Sequence, residues 1–244
     1  MVGQREFPCA IGRLLDEREM LAMSGADLLR FVLAAIVGYL LGSVPSGVLV
    51  GRLFGNVDPR TQGSGKTGAT NILRTLGPGP AVLVAVLDIT KGLVAVLLAH
   101  FVIYPLPAHP QPTLAQHNLQ ATAEAIAGFA ALLGHNFSIF LQFTGGRGVA
   151  TGGGATLGMS PIAMLIGAVA MFIPIALTRY VSLGSIIGCA TAGLVALALA
   201  LTGHDYLPHA LFALAGAALI IFSHRDNIER LLQGTERKLG QTAH

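Results

Sequence analysis

Long apolar runs separated by short polar segments make up most of the chain after residue 27. A helix that crosses about 30 Å of hydrocarbon needs roughly 20 residues, and several of the runs reach that length. Because lipid offers no hydrogen bonds to backbone amides, each run is expected to be helical. The pattern predicts spans at residues 28–51, 80–104, 122–142, 161–178, 181–203 and 207–222.

The composition agrees with a membrane protein and excludes a water-soluble domain. Of the 244 residues, 53% are hydrophobic and only 11% are charged, and the mean hydropathy is +0.67. A domain of this size needs more polar surface than that to be soluble in water. We therefore expect residues 27–244 to form a single membrane domain.

The distribution of Lys and Arg indicates which connections face the cytoplasm. The loop after the first span carries Arg52, Arg60, Lys66 and Arg74. The connections at 105–121 and 203–207 carry no Lys or Arg. Since cytoplasmic loops are enriched in these residues, the first loop is expected to be cytoplasmic. Arg147, Arg179 and the cations of the C-terminal tail are expected on the same side.

Six complete crossings cannot place Arg147 and Arg179 on one side of the membrane. The Gly-rich segment Gly148–Met159 lies between them and, at about 1.5 Å per residue, is too short for a full span. We therefore predict a short or broken seventh helix there, sheltered by protein. The expected architecture is an all-α, polytopic bundle of seven transmembrane helices with its N-terminus outside and its C-terminus inside.

The first 26 residues are mixed in charge and contain no apolar core of the signal-peptide type. We expect residues 1–26 to form an extracytoplasmic tail. Met20 or Met23 is an alternative start of the protein, and a surface amphipathic helix over 11–21 is a further alternative.

Neither the cysteines nor the basic character indicates a cofactor or a nucleic acid. Cys9 and Cys189 lie far apart, one in the tail and one in an apolar run, so no disulfide framework or metal site is predicted. The isoelectric point is about 9.1, but the basic residues lie between spans without interleaved aromatic residues. The expected partner is the lipid bilayer, with no nucleic acid, metal or cofactor.

The segment 63–77, with the sequence GSGKTGATNILRTLG, has the composition of a phosphate-binding loop. Glycines let backbone amides approach an anion, a helix from about Ala69 would direct its N-terminus at it, and Arg74 can form two parallel hydrogen bonds. The alternative is a flexible, positively charged cytoplasmic loop. A nucleotide P-loop is excluded because Arg60 stands where its first glycine would be, and no hydrophobic strand precedes it.

Three further polar features have both a functional and a structural interpretation. Arg147 follows two glycines at the mouth of the predicted short helix, an arrangement that can bind an anionic group. The alternative interpretation of glycines 152–154 is close helix packing. Asp88 and Lys91 are spaced to form an ion pair within a span, and for this pair and His135 we favour a structural role.

The polar end of the last span also has two interpretations. His224 and Asn227 are spaced to share one helical face at the membrane boundary, where they could contact a substrate or form a solvated helix end.

Taken in order, five segments resemble the bacterial membrane glycerol-3-phosphate acyltransferases that use acyl phosphate as the donor. The resemblance covers about residues 28–240. The segments are GSGKTGATNILRTLG (63–77), LDITKG (87–92), GHNFSIFLQFTGGRGVAT (134–151), RYVSLGS (179–185) and HRDNIERLLQGTE (224–236).

The resemblance implies a seven-helix, inner-membrane enzyme with a cytoplasmic site. It implies transfer of a fatty acyl group from acyl phosphate to glycerol 3-phosphate, and a functional link to the soluble enzyme that makes acyl phosphate. The donor's phosphate would be bound by Gly63, Ser64, Gly65, Lys66, Thr67, Gly68 and Asn71. The acceptor would be bound by Ser64, Arg74, Arg147, Ser182, His224 and Asn227, with His224, Asn227 and Ser64 as the catalytic residues.

The chain departs from the family pattern at two cations. Family members usually have Asn where this chain has Lys66, and Lys where it has Arg147. Arg keeps the charge of Lys but changes its geometry. Two other functions fit the same features: a transporter of phosphate esters, which would need polar groups along the whole depth of the bundle, and a lipid-binding protein without turnover.

Overall fold

The computed structural model describes residues 23–108 and 111–241. Within these ranges the regular structure is helical, and the one β-type pairing is an isolated bridge between Ser138 and Thr144. The tail helix considered for residues 11–21 lies outside them. The α-helices are α1 (Gly25–Ser43), α2 (Ser46–Gly55), α3 (Ala69–Leu76), α4 (Pro78–Leu98), α5 (Leu114–Asn136), α6 (Val149–Met159), α7 (Pro161–Thr178), α8 (Val181–Leu201), α9 (Leu207–Ser223) and α10 (Arg225–Leu232).

The short helix α6 confirms the helix predicted at 148–159, and α7 has the predicted bounds. Two predicted spans were wrong in detail. The first is interrupted at Pro45, which cannot donate a backbone hydrogen bond, so α1 ends and α2 begins there.

The third predicted span is displaced towards the N-terminus, because α5 begins at Leu114 rather than at residue 122. Thr113 caps it by accepting a hydrogen bond from the Gln116 amide, 3.2 Å, and the Gln116 side chain accepts one from the Thr113 amide, 2.8 Å. The helix ends at Asn136, where the Ser138 hydroxyl donates to the Ser43 carbonyl, 2.6 Å. Polar capping therefore outweighed hydropathy at the N-terminal boundary.

Length and composition alone give four helical segments, within the described part of the chain, that are able to cross a membrane. They are 25–55, 78–103, 161–178 and 181–201, and the bent pair of α9 and α10 adds a fifth. Helix α6 has only 11 residues, and α5 contains the buried polar residues Gln120 and Glu124. The number seven therefore stays a prediction.

Glycines bring helix backbones into direct contact at several places in the bundle, among them the α1–α5 and α4–α6 pairs. On α1, a Cβ at Gly38 or Gly42 would fall on a backbone carbonyl of α5. On α4 and α6 the contact is reciprocal: a Cβ at Gly92 would fall on the Thr151 carbonyl, and one at Gly154 on the Ile89 carbonyl. Close approach through small residues is a common means of packing membrane helices. It holds the short helix α6 inside the bundle.

Charged groups inside the bundle are paired. Lys91 Nζ lies 2.8 Å from Asp88 Oδ1 and also donates to the Val44 carbonyl, 3.1 Å. His135 Nδ1 lies 3.5 Å from the same carboxylate oxygen. An isolated charge at this depth costs at least about 2.5 kcal/mol on insertion scales, and pairing reduces that cost. These contacts agree with the structural role favoured for the three residues.

A second polar cluster joins α5 and α9 to the segment after α4 and to the loop at 202–206. Glu124 accepts from both His100 Nδ1, 2.7 Å, and His209 Nε2, 2.9 Å. The other nitrogen of His209 lies 2.8 Å from Asp205 Oδ1. With both ring nitrogens facing carboxylates, His209 has no acceptor role to fill, so we infer a doubly protonated ring. The cluster ties α5 and α9 together.

The α4–α6 contact predicts different effects of the same substitution at neighbouring glycines. Gly154→Ala would place a methyl group on the Ile89 carbonyl, whereas a Cβ at Gly153 would meet Met164 Cε at 3.6 Å, an ordinary contact. Overpacking typically costs about 1–3 kcal/mol. We expect Gly154→Ala to lower the midpoint of thermal unfolding in detergent, and Gly153→Ala to leave it unchanged or raise it slightly. Equal midpoints for the two variants would contradict the close packing.

Candidate active site

Four cations lie at one end of the bundle, called here the basic end and defined by Arg74, Arg147, Arg179 and Arg230. The C-terminal tail, residues 234–240, crosses this end. The Arg179 guanidinium donates to the Leu239 carbonyl, 2.7 Å, and the Leu239 amide donates back to the Arg179 carbonyl, 2.7 Å. Arg74 reaches the Arg237 carbonyl at 3.4 Å. The tail thereby connects α3 to the turn between α7 and α8.

The loop before α3 is organised by a single side chain, Asn71. Its Oδ1 accepts from the Ser64 amide, 2.9 Å. Its Nδ2 donates to the carbonyls of Pro59, Gln62 and Lys66, at 2.8, 3.1 and 2.9 Å. Asn71 is 2% exposed. All its polar atoms are therefore used within the loop, so its predicted part in phosphate binding would be indirect.

Two glycines give this loop its shape. Gly63 and Gly65 have positive φ angles, 61° and 67°, a region that L side chains rarely adopt. A Cβ at Gly63 would also fall on the Asn71 side chain. Ser64 and Lys66 alternate with these glycines, and Gly68 is the N-cap of α3. Thr67 is buried against α2, where its carbonyl approaches Gly47.

Arg147 is held at the basic end by a tight turn of glycines. Side chains at Gly145 and Gly146 would overlap with His135, and Gly148 has a φ of 84°. The Arg147 Nε is buried without a hydrogen-bond partner in the described residues. Burial lowers the pKa of the guanidinium groups of Arg147 and Arg74. The negative charge of Glu236 raises both pKa values and so opposes part of this effect.

Glu236 is the centre of the basic end. Its Oε1 accepts from Ser182 Oγ, 2.9 Å, and from Asn227 Nδ2, 2.6 Å, and its Oε2 accepts from Arg230 Nε, 2.8 Å. Burial raises the pKa of Glu236, but the three hydrogen bonds outweigh this and hold the pKa below its ordinary value. The carboxylate is therefore ionised at neutral pH.

His224 marks the 58° bend between α9 and α10. Its Nδ1 lies 2.8 Å from the Ile220 carbonyl, an oxygen that can only accept, so Nδ1 carries a proton. A neutral ring then leaves Nε2 as an acceptor. Nearby, Asn136 Nδ2 donates to Ser223 Oγ, 3.1 Å, and the Oδ1 atoms of Asn136 and Asn227 are buried without partners in the described residues.

The structure thus gathers most of the predicted site at one place. Five of the residues predicted to bind glycerol 3-phosphate lie around Glu236 at the basic end. They are Arg74, Arg147, Ser182, His224 and Asn227. Ser64 belongs to the loop that leads into α3. Among residues 23–108 and 111–241, no three His, Cys, Asp or Glu side chains are arranged to hold a metal ion.

Sequence reasoning missed Glu236 and Arg230 as parts of this site. Both lie in the segment 224–236 that was singled out, but neither was assigned a role. The available signal was charge: Glu236 is the acid nearest to the cations of the tail, and a carboxylate among cations at a membrane boundary needs partners.

Comparisons with known proteins agree with this geometry. Residues 32–234 match the family model described as glycerol-3-phosphate acyltransferase. The chain is 43% identical over 215 residues to glycerol-3-phosphate acyltransferase 3 of Dehalococcoides mccartyi strain 195, covering 87% of this chain and 97% of the relative. It is 40% identical over 214 residues to glycerol-3-phosphate acyltransferase of Synechococcus elongatus, covering 88% and 97%.

Two solved structures share the fold. Both are of PlsY (YgiH), an integral membrane glycerol 3-phosphate acyltransferase. The glycerol 3-phosphate form superposes with a TM-score of 0.72 at 35% identity, covering 86% of this chain and 96% of the other. The lysophosphatidic acid form gives 0.71 at 34% identity, with coverages of 86% and 95%. The all-helical bundle is therefore that of an integral membrane protein, and the chain belongs to the glycerol-3-phosphate acyltransferase family.

Proposed function

We propose that the protein transfers a fatty acyl group from acyl phosphate to the sn-1 hydroxyl of glycerol 3-phosphate, giving lysophosphatidic acid and phosphate. This is the first step of bacterial phospholipid synthesis. The observation that carries the proposal is the charge balance of the basic end. Of its four guanidinium groups, Arg74, Arg147 and Arg230 interact with the buried carboxylate of Glu236, and Arg179 binds the backbone of the C-terminal tail. Positive charge therefore remains in excess for a phosphate ester.

The two substrates would use different parts of the basic end. The donor's phosphate would lie against the loop of Gly63, Ser64, Gly65, Lys66, Thr67 and Gly68, whose shape Asn71 fixes. The glycerol 3-phosphate would be held by Arg74, Arg147, Ser182, Asn227 and His224, with Ser64 between the two substrates. Guanidinium groups suit phosphate because they can form two parallel hydrogen bonds with it.

The reaction needs alignment more than a strong base. The sn-1 oxygen attacks the acyl carbonyl carbon, the bond from that carbon to the phosphate oxygen breaks, and phosphate leaves with the electron pair. The hydroxyl proton passes to His224 Nε2, which the Nδ1 contact with Ile220 leaves free. Donors fixed around the developing negative charge lower the barrier without reorganisation.

The positive-inside rule supports a cytoplasmic basic end, with the N-terminus outside and the C-terminus inside the bacterial inner membrane. On that side the site would receive acyl phosphate from the soluble enzyme that makes it. The loop at 202–206 and its cluster around Glu124 would then face the outside.

The proposed activity predicts phosphate release that depends on glycerol 3-phosphate when purified protein is given palmitoyl phosphate. Hydrogen bonds to charged groups are worth about 1.5–3 kcal/mol. We therefore expect Arg74→Ala to raise KM for glycerol 3-phosphate about ten- to a hundredfold. Arg52→Ala is the control, because Arg52 is exposed on α2 and is not part of the site. Glycerol 3-phosphate uptake into proteoliposomes without product formation would support a transporter instead.

A second prediction identifies the proton acceptor. General-base catalysis contributes about 10²- to 10⁴-fold, so His224→Ala should lower kcat by that factor. Single-turnover measurements at saturating substrate would separate this loss from weaker binding. If kcat stays within about tenfold of the original value while KM rises, a phosphate oxygen of the substrate accepts the proton. His224 then only binds glycerol 3-phosphate.

A third prediction concerns Glu236, which fixes the predicted ligands Ser182 and Asn227. Glu236→Ala should lower the unfolding midpoint and raise KM for glycerol 3-phosphate, because three donors lose their acceptor. The pKa of Glu236 is below its ordinary value of 4.5. Its stabilisation is therefore complete above pH 4.5 and is lost as the pH falls through the lowered native pKa.

Thermal unfolding between pH 3 and pH 7 tests this dependence. The difference in midpoint between the original protein and Glu236→Ala should shrink at the acidic end. Glu229→Gln is the control, since Glu229 lies on the adjacent helix α10 and is exposed. A difference that is constant with pH would contradict an ionised Glu236 as the source of the stabilisation.

A further inference from the structure

Two buried amide oxygens beside the basic end have no hydrogen-bond donor within the residues that the structure describes. They are Oδ1 of Asn136, which is 5% exposed, and Oδ1 of Asn227, which is 4% exposed. Buried polar groups in native structures nearly all have a partner, because a group that loses water without replacement destabilises the fold. A ligand that carries hydrogen-bond donors would supply what these two oxygens lack.

The orientation of both amides is fixed by partners that can only accept. The single proton of the Ser223 hydroxyl is donated to the Leu219 carbonyl, 2.8 Å. The Asn136 atom that faces Ser223 Oγ at 3.1 Å must therefore be the donor Nδ2. The Asn227 atom that faces Glu236 Oε1 at 2.6 Å is likewise Nδ2, because the carboxylate is ionised. The unpartnered atoms are thus oxygens, and the ligand group opposite them must donate.

Asn136 lies between two parts of the candidate site. A Cβ at Gly148 would lie 2.8 Å from Asn136 Oδ1, and Gly148 directly follows Arg147. On the other side of the amide, Ser223 directly precedes His224. In the proposed function, Arg147 binds the phosphate of the acceptor and His224 takes the proton of its sn-1 hydroxyl. The middle carbon of glycerol 3-phosphate lies between these two groups, as Asn136 does in the site.

We propose that Asn136 Oδ1 accepts a hydrogen bond from the sn-2 hydroxyl of glycerol 3-phosphate and thereby selects a diol phosphate as the acceptor. The proposal rests on the function proposed above, in which glycerol 3-phosphate binds at the basic end. The hydroxyl would reach the oxygen as the turn of residues 145–148 carries Arg147 onto the phosphate. Gly148, which covers the oxygen, has no side chain to obstruct this approach.

A hydrogen bond of this kind would be recognised by its effect on specificity. A site that binds a substrate hydroxyl by a hydrogen bond rejects the analogue that lacks the hydroxyl, because the buried partner then stays unpaired. A residue that only supports the fold changes the activity towards both compounds by the same factor. The ratio of the two activities therefore distinguishes a ligand from a packing residue.

The test compares kcat/KM for glycerol 3-phosphate and 3-hydroxypropyl phosphate, with palmitoyl phosphate as the donor. The analogue keeps the primary hydroxyl and the phosphate but has no hydroxyl on its middle carbon. The original protein should prefer glycerol 3-phosphate by at least about tenfold. Asn136→Leu keeps the shape of the side chain and removes the acceptor, so it should lower this preference about tenfold. Most of the change should be a loss of activity towards glycerol 3-phosphate.

Asn118→Leu is the matched control for this substitution. Asn118 lies on the same helix α5, 18 residues before Asn136, or about 27 Å at the helical rise. The control should keep the original preference.

Ser223→Ala tests the same geometry without changing Asn136. This substitution removes the acceptor that orients the amide, so the oxygen is no longer fixed towards Gly148. The preference should fall in this variant too, by a smaller factor than in Asn136→Leu. The measurement thus remains decisive if Asn136→Leu does not fold.

The outcomes separate this inference from the proposed function. If the original protein uses both acceptors equally well, or if Asn136→Leu and Ser223→Ala keep its preference, Asn136 has only a packing role and the inference is wrong. If Asn227→Leu alone lowers the preference, the sn-2 hydroxyl binds Asn227 and the inference is also wrong. If the folded original protein shows no turnover with glycerol 3-phosphate, the proposed function itself fails, and this inference fails with it.

Discussion

The direct backbone contact between α4 and α6 determines where the functional groups of this bundle lie. Gly92 and Gly154 let the two helices approach until a single methyl group would overlap with a carbonyl. An 11-residue helix is too short to cross hydrocarbon alone, so it must be covered by other helices. Because α6 is held within the bundle, Arg147 just before it is half-buried, with its Nε out of contact with solvent. The position of the site follows from a packing contact.

Burying charged groups costs free energy, and ion pairs and hydrogen bonds in the bundle reduce that cost. Within the bundle, Asp88 and Lys91 neutralise each other. At the basic end, Glu236 in the tail accepts hydrogen bonds from α8 and α10 at once. A buried carboxylate is stable only with such partners, and removal of one partner would leave an uncompensated group. The same carboxylate that lowers this cost also positions the side chains proposed to bind phosphate. Stability and function are therefore coupled at this end.

The sequence predicted much of the fold, because membrane crossing imposes a length and a polarity that are visible residue by residue. The helix α6 followed from the need to place Arg147 and Arg179 on one side, and the Asp88–Lys91 pair followed from its spacing. The boundaries of α5 could not be predicted in the same way. Its N-terminal half contains the polar residues Gln120 and Glu124, and a hydropathy profile therefore does not assign that half to a membrane span. In the structure, His100 and His209 form hydrogen bonds with Glu124, and these contacts between residues distant in sequence are not visible in the local pattern.

The site was predictable as a list of residues but not as a network. Asn71 has the residue type of a ligand, yet its four hydrogen bonds shape the loop that presents Ser64 and Lys66. Glu236 repels phosphate by its charge, and sequence reasoning about anion binding therefore overlooks it. Its effect is to neutralise part of the guanidinium charge of the basic end while fixing Ser182 and Asn227. In the proposed reaction, a site with more uncompensated charge would hold the inorganic phosphate product more tightly. Partial neutralisation would then favour turnover, because binding energy spent equally on substrate and product does not accelerate a reaction.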